Sequence, residues 1–105
     1  MSVESKLFAK KMQLLLDDHY CRGCGAIRGL TLSHLIKRSR RPDLILEDKN
    51  LTIHCLTCHN AWEYKHRYSF MMLDLFSNLQ NIKELDEKEY NQWKEKLKQL
   101  KKSRL

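Results

Sequence analysis

Cys21-Arg-Gly-Cys24-Gly25 and Asn50-Leu-Thr-Ile-His-Cys55-Leu-Thr-Cys58-His59 are the two stretches whose reading decides how this chain folds. Each holds a Cys-x-x-Cys pair, and together the pairs use all 4 cysteines of the 105 residues. The two-residue spacing lets one tight turn present two sulfurs to one ion, and a tetrahedral Zn²⁺ accepts four thiolates at about 2.3 Å. Gly23 and Gly25 suit a knuckle in which the backbone wraps closely around a metal-bound sulfur. Disulfides are the weaker alternative, because the pattern sits in a chain with no export signal. Two redox or merely buried pairs are another, but a thioredoxin-like site needs one Cys-x-x-Cys in a βαβ setting, which is missing. Cys21, Cys24, Cys55 and Cys58 are therefore expected to hold a structural zinc. Four thiolates leave such an ion no open position, so any chemistry falls to other residues.

The insert between the pairs, residues 25–54, is longer than an ordinary zinc ribbon requires, so something is built there. Gly29-Leu-Thr-Leu-Ser-His-Leu-Ile36 is short, rich in β-formers and bounded by glycine and a basic segment, which predicts a strand. Asn50-Leu-Thr-Ile-His54 predicts a second. Residues 37–49, with the only proline at Pro42, read as a loop, and one this long in a small domain is more often functional than incidental. The second cysteine pair passes into a helix through Asn60-Ala-Trp-Glu-Tyr64, with His59 at its start. Upstream, Leu7, Phe8, Met12, Leu15 and Leu16 recur at helical spacing, predicting a helix over 4–16. Downstream, Tyr68, Met71, Met72, Leu75, Leu79 and Ile82 keep the same spacing. A last helix begins near Asp86, where Asp86 and Glu89 resemble a capping box, and Tyr90, Trp93, Leu97 and Leu100 form its apolar stripe. The Met and aromatic stripes of these later helices read as packing faces without chemistry. The class expected is α+β, in a single domain over 1–105 without repeats or linkers.

Apolar residues make up 42% and charged residues 31% of the chain. That allows one modest core, for which a metal staple is a natural supplement. Nothing reads as a membrane span or signal peptide, since the early run Leu14-Leu15-Leu16 stops at Asp17-Asp18. A secreted disulfide knot, a membrane protein and a large cofactor enzyme are thereby excluded, and a cytoplasmic location is expected. The net charge of +7 favours a polyanionic partner. It is concentrated: residues 21–41 hold Arg22, Arg28, Lys37, Arg38, Arg40 and Arg41 with no acid. A second cluster, Lys94, Lys96, Lys98, Lys101, Lys102 and Arg104, reads as a solvated tail. Lys37, Arg38, Arg40 and Arg41 are read instead as phosphate contacts, because they lie beside other chemical residues.

Of the 5 histidines, two stand out by position. His34 lies near the end of the first predicted strand, just before the basic segment, and Asn50 opens the second strand. His59 follows the last cysteine directly. Strand, loop, strand and helix pinned by zinc can bring both histidines to one end of a hairpin. There a neutral imidazole can activate water, and a second can hold a hard divalent ion against a phosphate.

The run Cys21-Arg-Gly-Cys24-Gly25, Leu32-Ser-His-Leu-Ile36 and Asn50 through His59 resembles the HNH endonuclease family in its zinc-containing, four-cysteine form. The resemblance covers about residues 19–64. It implies a ββα-metal core over about 19–66, flanked by an N-terminal helix and a helical extension over about 67–105. It further implies that His34 is the general base, that Asn50 steadies the loop and the base, and that His59 ligates a catalytic Mg²⁺, Mn²⁺ or Ni²⁺. Glu63, one helical turn after His59, matches the second helix ligand that some members have. Many members carry Asp or His directly before the base. Here that position is Ser33, a weaker neutral ligand, so either Ser33 binds the ion through water, or Glu63 supplies the missing anion, or the site is weakened. The activity implied is metal-dependent hydrolysis of DNA phosphodiesters, nicking or double-stranded, with low sequence specificity. Small free-standing members similar to this chain are encoded by bacteriophages, some acting beside a terminase, so DNA and a larger phage protein such as terminase are the implied partners of a monomer or dimer. Two other readings stand beside it: a non-catalytic zinc-stapled nucleic-acid-binding module, and an adaptor using Tyr90 and Trp93 as anchors.

Overall fold

Leu30–His34 (β1) and Leu51–Cys55 (β2) form an antiparallel pair, with Leu30 opposite Cys55 and His34 opposite Leu51. Side chains alternate across a strand, so Thr31, Ser33, Thr52 and His54 share one face, and Leu30, Leu32, His34, Leu51 and Ile53 the other. The computed structural model describes residues 2–103, so Arg104 of the basic tail lies outside the described residues. Four α-helices accompany the hairpin among them: Val3–Asp17 (α1), Leu56–Glu63 (α2), Leu75–Leu85 (α3) and Glu87–Ser103 (α4). The chain is thus α+β, and no helix is long and apolar enough to cross a membrane among the described residues.

α1 follows the predicted helix closely, opened by Ser2, whose side chain accepts from the Ser5 N–H. Its apolar stripe is not all core. Leu7 is buried, whereas Phe8, Met12 and Leu16 are exposed. α2 begins earlier than expected, at Leu56, with Cys55 as its N-cap residue. Cys58 therefore sits inside the first turn instead of ahead of the helix, and His59, expected at the helix start, closes that turn. The predicted loop 37–49 contains short 3₁₀ turns at Pro42–Leu44 and Asp48–Asn50.

The helical spacing over 68–82 breaks in two, a 3₁₀ segment Arg67–Met71 and then α3. Long-range contacts override periodicity here. The Leu73 N–H donates to the Gly23 carbonyl at 2.9 Å, and the Asp74 carboxylate accepts from His54 Nε2 at 2.9 Å. Tyr68 and Met71, read as packing residues, are consequently exposed. At Asp86 the capping box is half formed: Asp86 Oδ1 accepts from the Glu89 N–H at 3.2 Å, while the Glu89 carboxylate turns instead to Arg40 and Lys65.

The core joins the two halves of the chain. Trp62 of α2 and Trp93 of α4 are each 1% exposed and stack with ring centroids 4.2 Å apart. Trp62 Nε1–H donates to the Leu35 carbonyl at 3.0 Å, so this polar edge is satisfied inside the core. Trp93 is thereby a core residue and not an exposed anchor for an adaptor. Next to Trp62, His54 and Asp74 form a buried pair. Burial works to raise the Asp74 carboxyl, but the hydrogen bond and charge of His54, with the nearby Asn78 amide, outweigh it and hold the group below its usual 3.8. A depressed carboxylate stabilises the fold fully above 3.8, and that contribution is lost as pH falls through the lower folded value. His54→Ala leaves a buried carboxylate without its partner. It is expected to lower stability by about 3–5 kcal/mol at neutral pH, read as a lower urea midpoint, and less below the folded Asp74 value.

Candidate active site

Two pieces of chain deliver the cysteines: the turn after α1 (Cys21, Cys24), and the junction where the end of β2 (Cys55) passes into the first turn of α2 (Cys58). Their sulfurs all lie within 4.8 Å of one another, and Cys24 and Cys55 are 3.7 Å apart. Zinc–sulfur bonds of about 2.3 Å in a tetrahedron place sulfurs about 3.8 Å apart, so the cluster fits Zn²⁺. The knuckle is supported by its own backbone. The Cys21 N–H donates to Ala26 at 2.7 Å, the Arg22 N–H to Ile53 at 2.9 Å, and the Gly23 N–H to the Cys21 sulfur at 3.3 Å. A side chain at Gly23 would meet the Cys58 sulfur and the Met72 sulfur at 3.1 Å, which explains the glycine. Burial opposes ionisation of Cys21, but the surrounding N–H groups of Cys55, Cys24 and Gly23 prevail and bring it down to about 7. Burial and the neighbouring sulfurs push Cys58 up. A bound cation reverses that second effect, since it favours every thiolate it touches.

Beside the cluster, on the hairpin, a cleft of about 570 Å³ is lined by Ser33, His34, Lys37, Arg38, His59 and Glu63, with Glu4, Leu7, Phe8 and Lys11 of α1 across from them. Six of the residues singled out in the sequence thus meet in one cavity. His34 Nε2 donates to the Ile45 carbonyl at 3.0 Å, because a carbonyl can only accept. Neutral His34 then carries its lone pair on Nδ1. Burial lowers its pKa, the Ile45 carbonyl raises it in part, and Arg38 and His59 lower it further.

His59 is oriented by a residue the sequence patterns did not single out. Thr31 donates its single hydroxyl hydrogen to the His54 carbonyl at 2.8 Å, so it accepts from His59 Nδ1–H at 2.9 Å. That fixes the tautomer with the lone pair on Nε2, as a metal-ligating histidine requires. Burial lowers the His59 pKa, partly offset by Glu63 and assisted by His54. Two neutral imidazoles with assigned lone pairs therefore line the same cleft. The period-two pattern of β1 places Thr31 on the face of Ser33 and could have revealed it. The Ile45 carbonyl has no side-chain signal.

Asn50 is fully buried and lies outside the cleft wall. Its Oδ1 accepts from the Ile36 N–H at 2.7 Å, and its Nδ2 donates to the Ile36 and Leu44 carbonyls at 3.2 Å each. It ties the segment after β1 to the start of β2 and holds Leu44, the neighbour of Ile45. Ser33 is 2% exposed, at the bottom of the cleft. Arg40 and Arg41 also lie away from the cleft: Arg40 pairs with Glu89, and Arg41 with Asp43 and Asp86 at 2.8 and 2.7 Å. Arg38 pairs with Glu4 at 2.9 Å, and Lys37 lies over the Tyr64 ring at 4.9 Å. Among the described residues, the cysteine cluster is the one place where three or more His, Cys, Asp or Glu ligand atoms gather, all within 4.8 Å of one another.

No family model, no curated protein and no solved structure matches this chain. The functional reading of the site therefore rests on its chemistry. Elemental analysis of the purified protein is expected to give about one zinc per chain. Cys55→Ser is expected to lose both the zinc and the cooperative unfolding transition, because binding energy at such a site is folding energy.

Proposed function

We propose that this chain is a metal-dependent DNA endonuclease of the HNH kind, with β1, β2 and α2 as its ββα-metal core. The observation that carries this reading is the pair of histidines in one cleft, each with one ring nitrogen tied back to the protein and the other left as a base or ligand. His34 Nδ1 takes the proton of the attacking water, and its depressed pKa keeps it unprotonated at neutral pH. The Ile45 carbonyl holds the ring while this happens, and Asn50 holds the segment that bears Ile45. His59 Nε2, with Glu63 and Ser33 beside it, is the set that would hold a divalent ion, which supplies charge stabilisation for the scissile phosphate and the leaving 3′ oxygen. Lys37 and Arg38 at the cleft contact flanking phosphates, which position the DNA without reading sequence. DNA is the proposed partner, and a phage setting beside a terminase belongs to the same proposal.

A second reading, a zinc-stapled binding module without catalysis, is favoured by one observation: the cleft contains no three convergent His, Cys, Asp or Glu ligand atoms among the described residues. Mg²⁺ itself is commonly held by one or two protein groups plus waters and substrate phosphate, so the arrangement also suits catalysis. Supercoiled plasmid incubated with Mg²⁺, Mn²⁺ or Ni²⁺ distinguishes the two. Conversion to nicked or linear DNA is expected, abolished by EDTA and reduced about 10²–10⁴-fold in a folded His34→Ala. DNA binding without cleavage under every ion would establish the module instead. Thr31→Val is expected to weaken Mn²⁺ binding about 10- to 100-fold by calorimetry while leaving the zinc content unchanged, with Thr31→Ser restoring it.

A further inference from the structure

One face of α1 forms a wall of the cleft. Glu4, Leu7, Phe8 and Lys11 are spaced i, i+3, i+4 and i+7, and all four line it. Leu7 is buried, which anchors the helix to the hairpin. Phe8 is not: it leaves 64% of its surface open and lines the same cleft as the two histidines. Lys11 follows it on the same face, and Lys37 and Arg38 stand on the opposite wall. A large apolar ring flanked by cations on both walls is the combination that holds one nucleic-acid strand, since rings stack on bases and cations track phosphates. The cleft, at about 570 Å³, suits a strand's backbone with an unstacked base and not a whole duplex. Glu4 bridges the walls by its exposed pair with Arg38, a contact a phosphate competes with readily.

We infer that α1 is the second jaw of the substrate site: Phe8 stacks on a base or sugar of one DNA strand, and Lys11 contacts that strand's phosphate opposite Lys37 and Arg38. This rests on the nucleic-acid reading of the cleft. Along α1 the assignment is local. Leu16 is equally apolar and 68% exposed but lies outside the cleft, so it serves as the control.

Fluorescence anisotropy of a labelled single-stranded oligonucleotide, titrated with the full zinc-loaded chain at several salt concentrations, tests the inference. Phe8→Ala is expected to weaken binding about 5- to 150-fold with the salt slope unchanged, and Phe8→Trp to restore it. Lys11→Ala is expected to reduce the slope of log affinity against log salt by about 0.7, the signature of one lost phosphate contact on a single strand. Leu16→Ala should match the wild type. If the wild type binds and both cleft variants match it in affinity and slope, the role of α1 is overturned while the nucleic-acid reading of the cleft survives. That role is overturned equally if Leu16→Ala weakens binding as much as Phe8→Ala. A wild-type chain that binds neither single-stranded nor duplex DNA overturns both readings.

Discussion

The gathering of four sulfurs within 4.8 Å is the constraint on which the rest of the molecule depends. It joins the turn after α1 to the junction of β2 with α2, two segments some 30 residues apart in the chain. Once Cys58 is fixed, successive helical positions follow at about 100° each, so the rotation of α2 about its axis is fixed too. His59, the next residue, is thereby aimed at Thr31, and Trp62, one turn after Cys58, is aimed into the core. The cluster also draws in the later helices, because Leu73 bonds to Gly23 and Met72 fills the space beside its missing side chain.

A second constraint acts on the segment between the strands. Residues 37–49 are tied from within by Asn50 and from outside by Arg40 to Glu89, Arg41 to Asp86, and Lys49 to Glu84. Exposed ion pairs contribute little individually, but the Arg40–Glu89 pair has a nearly buried carboxylate and several pairs act on one short stretch. Their combined effect is geometric. The Ile45 carbonyl that orients His34 is carried by a segment braced against α3 and α4. The helices beyond residue 67 thus serve as scaffold for the hairpin end and do not hang from it as an appendage.

Much of this was legible in the sequence because it rests on local pattern. Cys-x-x-Cys spacing pointed to the gathering of four sulfurs, β-formers flanked by glycine pointed to β1, and His34, His59 and Glu63 do meet in one cleft. What escaped was set by distance. The periodic run over 68–82 contains a break only because Leu73 and Asp74 find partners near residues 23 and 54. The run Lys37 to Arg41 is uniform as charge, yet the fold sends Arg40 and Arg41 to carboxylates on Glu89 and Asp86 and leaves Lys37 and Arg38 at the cleft. Phe8 and Leu7 are neighbours in one apolar stripe, and only the placement of α1 over the hairpin separates the anchor from the open ring.

The stack of Trp62 on Trp93 has a practical meaning. These are the 2 tryptophans of the chain, so all of its indole absorbance and emission originates in one contact between α2 and α4. Excitonic coupling between the rings and their shielding from solvent both depend on that contact, so the protein carries its own optical gauge of whether the C-terminal helices are docked on the half that holds the cysteine cluster.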